Sequence, residues 1–253
     1  MCGIAFICNY GKRKIPLEFY EKLWCNLSNR GTDASGYYFE RKSSDKLLQK
    51  MIKGNLPSKE LWENIYSDSS KKEFRLNGSE SLVFFHCRAQ TKGPKENPLN
   101  NMPIQSDNFI VIHNGMIMND HTAKEYKYKA EVDSEEILAQ IEMNGIINGL
   151  EKLSGSMAIV LKPTKEQRLF LYRNTNPLYL SFIPSKKLLI GISNAMYIPL
   201  HKDSFKPNKI FKPDAHFLDI TPYTIFEVNL ATPKIKELAS VSTTITREIP
   251  WEK

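Results

Sequence analysis

The apolar residues of this chain fall mostly in short runs rather than long helical stripes. Gly3-Ile4-Ala5-Phe6-Ile7-Cys8, Ser81-Leu82-Val83-Phe84-Phe85-His86 and Phe109-Ile110-Val111-Ile112-His113 have the length of strands buried on both faces. Gly36 to Glu40 has aromatic strand character. Met157 to Leu161, Arg168 to Tyr172, Leu178 to Phe182, Lys187 to Ile192 and Tyr223 to Val228 read as further strands. Helical spacing is confined to a few segments. Leu17, Tyr20, Leu23, Trp24 and Leu27 recur on one face after Pro16, a residue that can open a helix, and this helix is expected to end before Arg30-Gly31. Ser58 is predicted to cap a short helix through Tyr66. Asp133-Ser134-Glu135-Glu136 resembles a helix start, continued by Ile137, Leu138 and Ile141, and Asn194 is expected to cap a short helix before Pro199. Lys42 to Asp45 reads as a turn, Asp68 to Lys72 as a surface loop, and Lys92 to Asp107 as a loop rich in Pro and Asn. Strands and helices come in blocks without strict βαβ alternation. That pattern favours packed antiparallel sheets with helices over a doubly wound parallel sheet. No internal repeat or composition break marks a second domain. The expectation is one domain over residues 2–228 with a C-terminal extension over 229–253.

At 253 residues the chain can bury a sizeable core, and its 41% hydrophobic and 25% charged content is ordinary for a globular protein. No apolar stretch approaches a membrane span. The apolar run at the N-terminus is short and is followed at once by Asn9-Tyr10-Gly11-Lys12-Arg13-Lys14, which does not fit a signal peptide. A cytoplasmic protein without a membrane partner is therefore expected. The cysteines are Cys2, Cys8, Cys25 and Cys87. They show neither a disulfide framework nor zinc-ligand spacing, and no metal or cofactor is expected. Net charge is +7, but the basic residues are dispersed, with short clusters at Lys12-Arg13-Lys14, Lys71-Lys72 and Lys186-Lys187. A solvated surface explains them. Weak association with nucleic acid is the lesser alternative and is not predicted, because no recognition motif accompanies the charge.

The candidate chemistry begins at Cys2. Removal of Met1 would make it the terminal residue, with a thiol nucleophile and an α-amine of pKa about 7.7–8.0 on one amino acid. Four further segments stand out: Arg30-Gly31-Thr32-Asp33-Ala34-Ser35-Gly36, His86-Cys87-Arg88-Ala89-Gln90-Thr91-Lys92-Gly93, His113-Asn114-Gly115, and Val132-Asp133-Ser134-Glu135. Each has a plainer reading taken alone. Arg30 with Asp33 could be an ion pair, Gly31 a helix C-cap, His86 a satisfied core histidine, Asn114-Gly115 a turn, and Asp133 a cap.

Taken in order, these segments resemble the class II glutamine amidotransferases, the N-terminal-nucleophile glutaminase domains of enzymes such as glucosamine-6-phosphate synthase and amidophosphoribosyltransferase. The matching residues are Cys2-Gly3-Ile4, the Arg-Gly-x-Asp-x-x-Gly segment from Arg30 to Gly36, then His86, Arg88, Thr91 and Gly93, Asn100 with Pro103, His113 to Gly115, and Val132 to Glu135. Gly155-Ser156-Met157-Ala158 and Ser193-Asn194 also resemble family positions. The resemblance implies an α+β fold, a four-layer αββα sandwich of two antiparallel sheets. It implies catalytic roles for Cys2 as nucleophile and for the Asn114 side chain and Gly115 N–H as oxyanion donors. Arg88, helped by Thr91, would bind the α-carboxylate of free L-glutamine, and Asp133 its α-ammonium. Arg30, His86 and Gly93 would be supporting residues. The chain departs from the pattern at Ala89, where many relatives carry an aromatic residue, at Lys92 in place of His, at Met102 before Pro103, and at Val132 in place of Thr. The implied activity is glutamine hydrolysis through a glutamyl-thioester, with ammonia passed to a separate acceptor synthase. Loops around 94–103 and 199–213 are candidate docking regions. A catalytically silent, regulatory relative and an N-terminal-nucleophile hydrolase of another amide remain the alternatives.

Overall fold

The structure, a computed structural model, describes residues 1–43, 46–198, 216–240 and 247–249. In chain order the strands are β1 (Gly3–Asn9), β2 (Ala34–Ser43), β3 (Lys46–Gly54), β4 (Leu82–Arg88), β5 (Ile104–Gln105), β6 (Phe109–Ile117), β7 (Gly155–Pro163), β8 (Arg168–Arg173), β9 (Tyr179–Ile183), β10 (Leu188–Ile192), β11 (His216–Asp219), β12 (Thr224–Asn229), β13 (Ile235–Ser240) and β14 (Arg247–Ile249). The helices are α1 (Leu17–Leu27), α2 (Ser58–Ser67), α3 (Glu135–Asn144) and α4 (Ile146–Glu151). Among the described residues the strands form two seven-stranded sheets, ordered β11-β9-β10-β1-β4-β2-β3 and β14-β13-β12-β8-β7-β6-β5. The pairings are antiparallel, and β1 lies between β10 and β4 at the centre of the first sheet.

The alternation of side chains along each strand sorts the core into three apolar layers. Ile4, Phe6 and Cys8 of β1, with Leu82 and Phe84 of β4, face Ile110 and Ile112 of β6, Ala158 and Val160 of β7, and Leu169 and Leu171 of β8 across the inter-sheet space. The opposite parity, Ala5, Ile7, Val83 and Phe85, packs against Tyr20, Leu23, Trp24 and Leu27 of α1 and Leu61, Trp62 and Ile65 of α2. On the far side Val111, Ile159 and Leu161 pack against Ile137, Leu138 and Ile141 of α3 and Leu150 of α4. The result is the αββα order of layers. Trp24 ties the first helical layer to its sheet by an edge contact with Tyr37, centroids 5.1 Å apart, and by donating Nε1–H to the His86 carbonyl at 3.1 Å.

Several elements differ from the sequence reading. β3 went unread because it is an edge strand whose residues are at best half-buried, so little apolar alternation marks it. Lys42 and Ser43, expected in a turn, extend β2, while 44 and 45 lie outside the described residues. Residues 68–72 are more ordered than a plain loop: Ser69–Phe74 is a 3-10 turn whose Ser70 N–H donates to Asp68 Oδ1 at 2.9 Å. Ser58 sits inside α2 and does not cap it. Pro57 holds the cap position, and the Ser58 hydroxyl donates instead to the Trp24 carbonyl at 3.1 Å. Past Val228 the chain continues the second sheet, with β13 paired to β12 and β14 to β13. The docking loop expected over 199–213 lies outside the described residues. Among the described residues no helix is long and apolar enough to cross a membrane.

Phe84→Ala empties the centre of the inter-sheet layer, where Phe84 is fully buried. It should cost about 3–5 kcal/mol in urea unfolding. Leu47→Ala, on the exposed edge strand, should stay within about 0.5 kcal/mol. Equal losses for the two would contradict the layer assignment.

Candidate active site

The inter-sheet face is apolar until one end of the sandwich and polar there. On β1 the facing residues run back from Cys8 through Phe6 and Ile4 to Cys2. On β4 they run from Leu82 and Phe84 to His86 and Arg88, and on β6 from Ile110 and Ile112 to Asn114. The antiparallel register of β1 with β4 sets Gly3 against Cys87, which brings Cys2 to the end of β4. There its Sγ lies 3.7 Å from the Ala89 carbonyl. A pocket of about 310 Å³ opens at this end. It is lined by Cys2, His86, Arg88, Thr91, Gly115 and Asp133 of the expected site residues. Ala89, Lys92, Asn100, Met102, His113, Val132 and Ser134 complete the wall. Arg30, Gly93 and Asn114 are not among the lining residues; Arg30 bonds to Cys2, Gly93 to Arg88, and Asn114 precedes Gly115 in the chain.

Arg30 follows α1 and donates Nε–H to the Cys2 carbonyl at 3.0 Å. It does not pair with Asp33, whose Oδ2 instead accepts the Gln90 N–H at 2.7 Å. Gly31 closes the short 3-10 turn that carries Arg30. A Cβ on Gly31 would sit 2.3 Å from Ala89 N, so glycine is required for this segment to approach the end of β4. Ser193 pins the start of β1 from the other side, its Oγ accepting the Ile4 N–H at 3.2 Å and its own N–H donating to the Ile4 carbonyl at 2.9 Å. Burial pushes the Cys2 thiol above its ordinary range, while the Arg88 charge pulls it partly back. The thiol is therefore protonated at neutral pH and needs a base to become a nucleophile.

Asn114-Gly115 is not a turn. Both residues lie within β6, opposite Ala158 and Met157 of β7. Gly115 has a φ of +151°, and a Cβ there would meet the Ser156 carbonyl at 1.9 Å. The Asn114 carboxamide is fully buried, and neither its nitrogen nor its oxygen has a hydrogen-bond partner. Most buried side-chain polar groups are paired, so an unpaired carboxamide next to a pocket-wall residue points to a ligand group. The Asn114 carbonyl accepts Asn176 Nδ2 at 2.8 Å. Asn174 steadies the neighbouring strand, accepting the Met157 N–H and donating to the Gly155 carbonyl, both at 2.7 Å.

Two buried histidines flank this group. His113 Nδ1 pairs with Ser134 Oγ at 2.9 Å. The His86 ring faces the His113 carbonyl and the His113 ring the Ser156 carbonyl, without reaching hydrogen-bond geometry. Burial holds His86 down at about 3 and pushes His113 down as well, so both are neutral at physiological pH.

Arg88 is buried and clamps the loop that follows it. Nη1 donates to Asn101 Oδ1 at 2.8 Å, and Nη2 to the carbonyls of Lys92 and Gly93 at 2.5 and 2.6 Å. Gly93 makes the turn with a φ of +72°. Asn100 joins this loop to the opposite wall, its Oδ1 accepting the Glu131 N–H at 2.8 Å. Lys92 forms an ion pair with Asp120 across the same two walls. Asp133 does not cap α3, which begins at Glu135. Its Oδ2 accepts the Ile117 N–H at 2.6 Å, tying the end of β6 to this wall. The residues the sequence reading passed over are Asn101, Asn174, Asn176 and Lys53, and it gave Ser134 no role of its own. They act through side-chain hydrogen bonds, mostly to backbone groups, and no spacing pattern marks them.

Residues 86–196 match the family model described as a glutamine amidotransferase domain. The chain is 25% identical over 243 residues to a 7-cyano-7-deazaguanine synthase of Saccharolobus solfataricus, covering 90% of this chain and 48% of that one. It is 30% identical over 196 residues to the glutamine–fructose-6-phosphate aminotransferase of Helicobacter pylori, covering 70% of this chain and 30% of the relative. The chain thus spans less than half the length of these curated relatives. The fold superposes on glutamine phosphoribosylpyrophosphate amidotransferase of B. subtilis with a TM-score of 0.65 at 16% identity, over 99% of this chain and 50% of that one. The chain carries a class II glutamine amidotransferase domain. The amidotransferase motifs therefore converge in space as well as in order, around a single pocket at one end of the sandwich.

His86 makes the amidotransferase domain acid-sensitive. Its unfolded pKa is about 6.5, and in the folded state it is held near 3. Between these values only the unfolded chain takes up the proton, so the stability present above pH about 6.5 is lost as pH falls toward the folded value. Urea midpoints measured from pH 7 to pH 4.5 should fall less steeply in His86→Gln than in the unaltered protein. Parallel slopes would show that His86 is not held neutral.

Proposed function

We propose that the domain hydrolyses the side-chain amide of free L-glutamine through a thioester on Cys2 and supplies the ammonia to a separate synthase. The observation that carries this reading is the buried, unpartnered Asn114 carboxamide, on the same inter-sheet face as the Cys2 side chain and next to Gly115 of the pocket wall.

With Met1 removed, the Cys2 α-amine takes the thiol proton, directly or through water, and the thiolate attacks the amide carbon of glutamine. The negative charge that develops on the amide oxygen is met by Asn114 Nδ2–H and the Gly115 N–H. The α-ammonium returns a proton to the leaving nitrogen, ammonia departs, and the glutamyl-thioester remains. Water activated by the same amine then cleaves the thioester to glutamate and regenerates the thiol. Three of the five guanidinium N–H groups of Arg88 hold the loop, which leaves others for the α-carboxylate. Asp133 spends Oδ2 on Ile117 N–H and keeps Oδ1 for the α-ammonium. Recognition of both charges selects a free amino acid over a peptide-bound glutamine. Two relatives named as 7-cyano-7-deazaguanine synthases, which this chain covers only in part, support an acceptor of the synthase kind.

Diazo-oxo-norleucine should add to a Met-free Cys2 by mass spectrometry, and a folded, trimmed protein that takes no adduct would refute the nucleophile. Asn114→Ala should lower kcat by about 100- to 1,000-fold, and a change in KM alone would remove it from the oxyanion site. Asp133→Asn should lose about 1.5–3 kcal/mol in kcat/KM for glutamine. Steady glutamate release should quicken when a co-purifying synthase is added. Full turnover without any capturable partner would replace the supply role with a simple glutaminase.

A further inference from the structure

The loop that Arg88 clamps is also held from below by a residue that belongs to none of the chemical motifs. Lys53 lies near the end of the edge strand β3, and its Nζ donates to the carbonyls of Asn101 and Pro103 at 2.8 and 3.1 Å. Asn101 is the residue whose Oδ1 receives Arg88, and its own Nδ2 donates to the Lys95 carbonyl at 2.7 Å. Met102, between the two carbonyls, lines the pocket, and its Sδ lies 3.2 Å from the His113 N–H. A single ammonium therefore fixes the backbone on either side of a pocket residue and the base of the asparagine that orients Arg88. The close approach is permitted by Gly36, where a Cβ would stand 2.4 Å from the Met102 carbonyl and 2.7 Å from Lys53 Cβ. The Glu135 carboxylate favours the Lys53 ammonium, and that ammonium in turn disfavours the cationic form of the buried, neutral His86. Burial lowers Lys53 to about 8, so the side chain is charged at neutral pH.

We propose that Lys53 is a positioning residue for the pocket, whose two bonds to the Asn101 and Pro103 carbonyls anchor the 92–103 loop and through it set Arg88 for the α-carboxylate of glutamine. This rests on the glutaminase reading for its substrate and on the loop geometry alone for its anchoring role. Loss of the ammonium leaves two carbonyls and the Asn101 side chain without their fixed support. The loop then samples positions in which Arg88 is misplaced, which weakens binding more than it slows the chemistry at Cys2.

The test pairs hydrogen–deuterium exchange with steady-state kinetics on the full chain. Lys53→Met should speed exchange over residues 92–103 and leave β6 and β7 protected. It should raise KM for glutamine by about ten- to a hundredfold with kcat changed far less, the scale of a lost charge-assisted bond. Lys53→Arg, which keeps a cationic donor, should restore most of both. If Lys53→Met does not fold, Gly36→Ala pushes the same segment off Lys53 and should give the same local exchange. Unchanged exchange and KM in a folded Lys53→Met protein would overturn the inference, as would an equal loss of kcat with no shift in KM. Faster loop exchange in a protein whose unaltered form neither binds nor turns over glutamine would sink the glutaminase reading and leave the anchoring role standing.

Discussion

Everything at the pocket depends on the packing of two sheets through a shared apolar face that ends in polar residues. The strand period of two puts Cys2, Ile4, Phe6 and Cys8 on one side of β1, and the same rule aligns Arg88 and His86 with Phe84, and Asn114 with Ile112. The apolar part of that face holds the layers together. Its polar end lines the pocket. A slip of one residue in the register of β1 against β4 would turn Cys2 away from the pocket and Ile4 out of the core together. The core therefore specifies the position of Cys2.

Burial has opposite consequences for the groups at this end. It leaves the Cys2 thiol protonated and the two histidines neutral, because each charged form loses its hydration. Neither histidine is suited to deprotonate Cys2, since each faces a backbone carbonyl and is strongly disfavoured as a cation. The α-amine is left as the base of the proposed chemistry. Arg88 keeps its charge in the same environment because three hydrogen bonds to the loop replace its water. The carboxamide of Asn114 has no such compensation. Its unsatisfied cost is the kind of local frustration expected where a ligand completes the structure.

Glycines act here as spacers. Gly31 lets the Arg30 segment reach the end of β4, and Gly36 lets the 101–103 segment settle on β2 and β3. Gly115 combines a backbone conformation that other residues avoid with contact against Ser156 and His113. These positions explain why the two glycine-containing segments accompany Cys2 in one chain, although they lie far apart in sequence.

The amino-acid sequence by itself determined the strands with apolar cores, the long helix α1, the antiparallel class and the ordered residues of the site. Short apolar runs and single reactive residues are local signals, readable without knowing what they touch. It did not reveal β3, β13 or β14, because edge and late strands carry little alternation when one face meets solvent. The plainer reading of Asn114-Gly115 as a turn does not hold, since the dipeptide is kept extended by its pairing with β7. Tertiary structure alone decided that Asp133 holds Ile117 rather than capping α3, that Arg88 grips its own loop, and that Lys53 supports it. Those roles rest on backbone carbonyls and amides brought together by sheet packing. Such groups are the same in every residue, so no sequence pattern distinguishes the ones that meet.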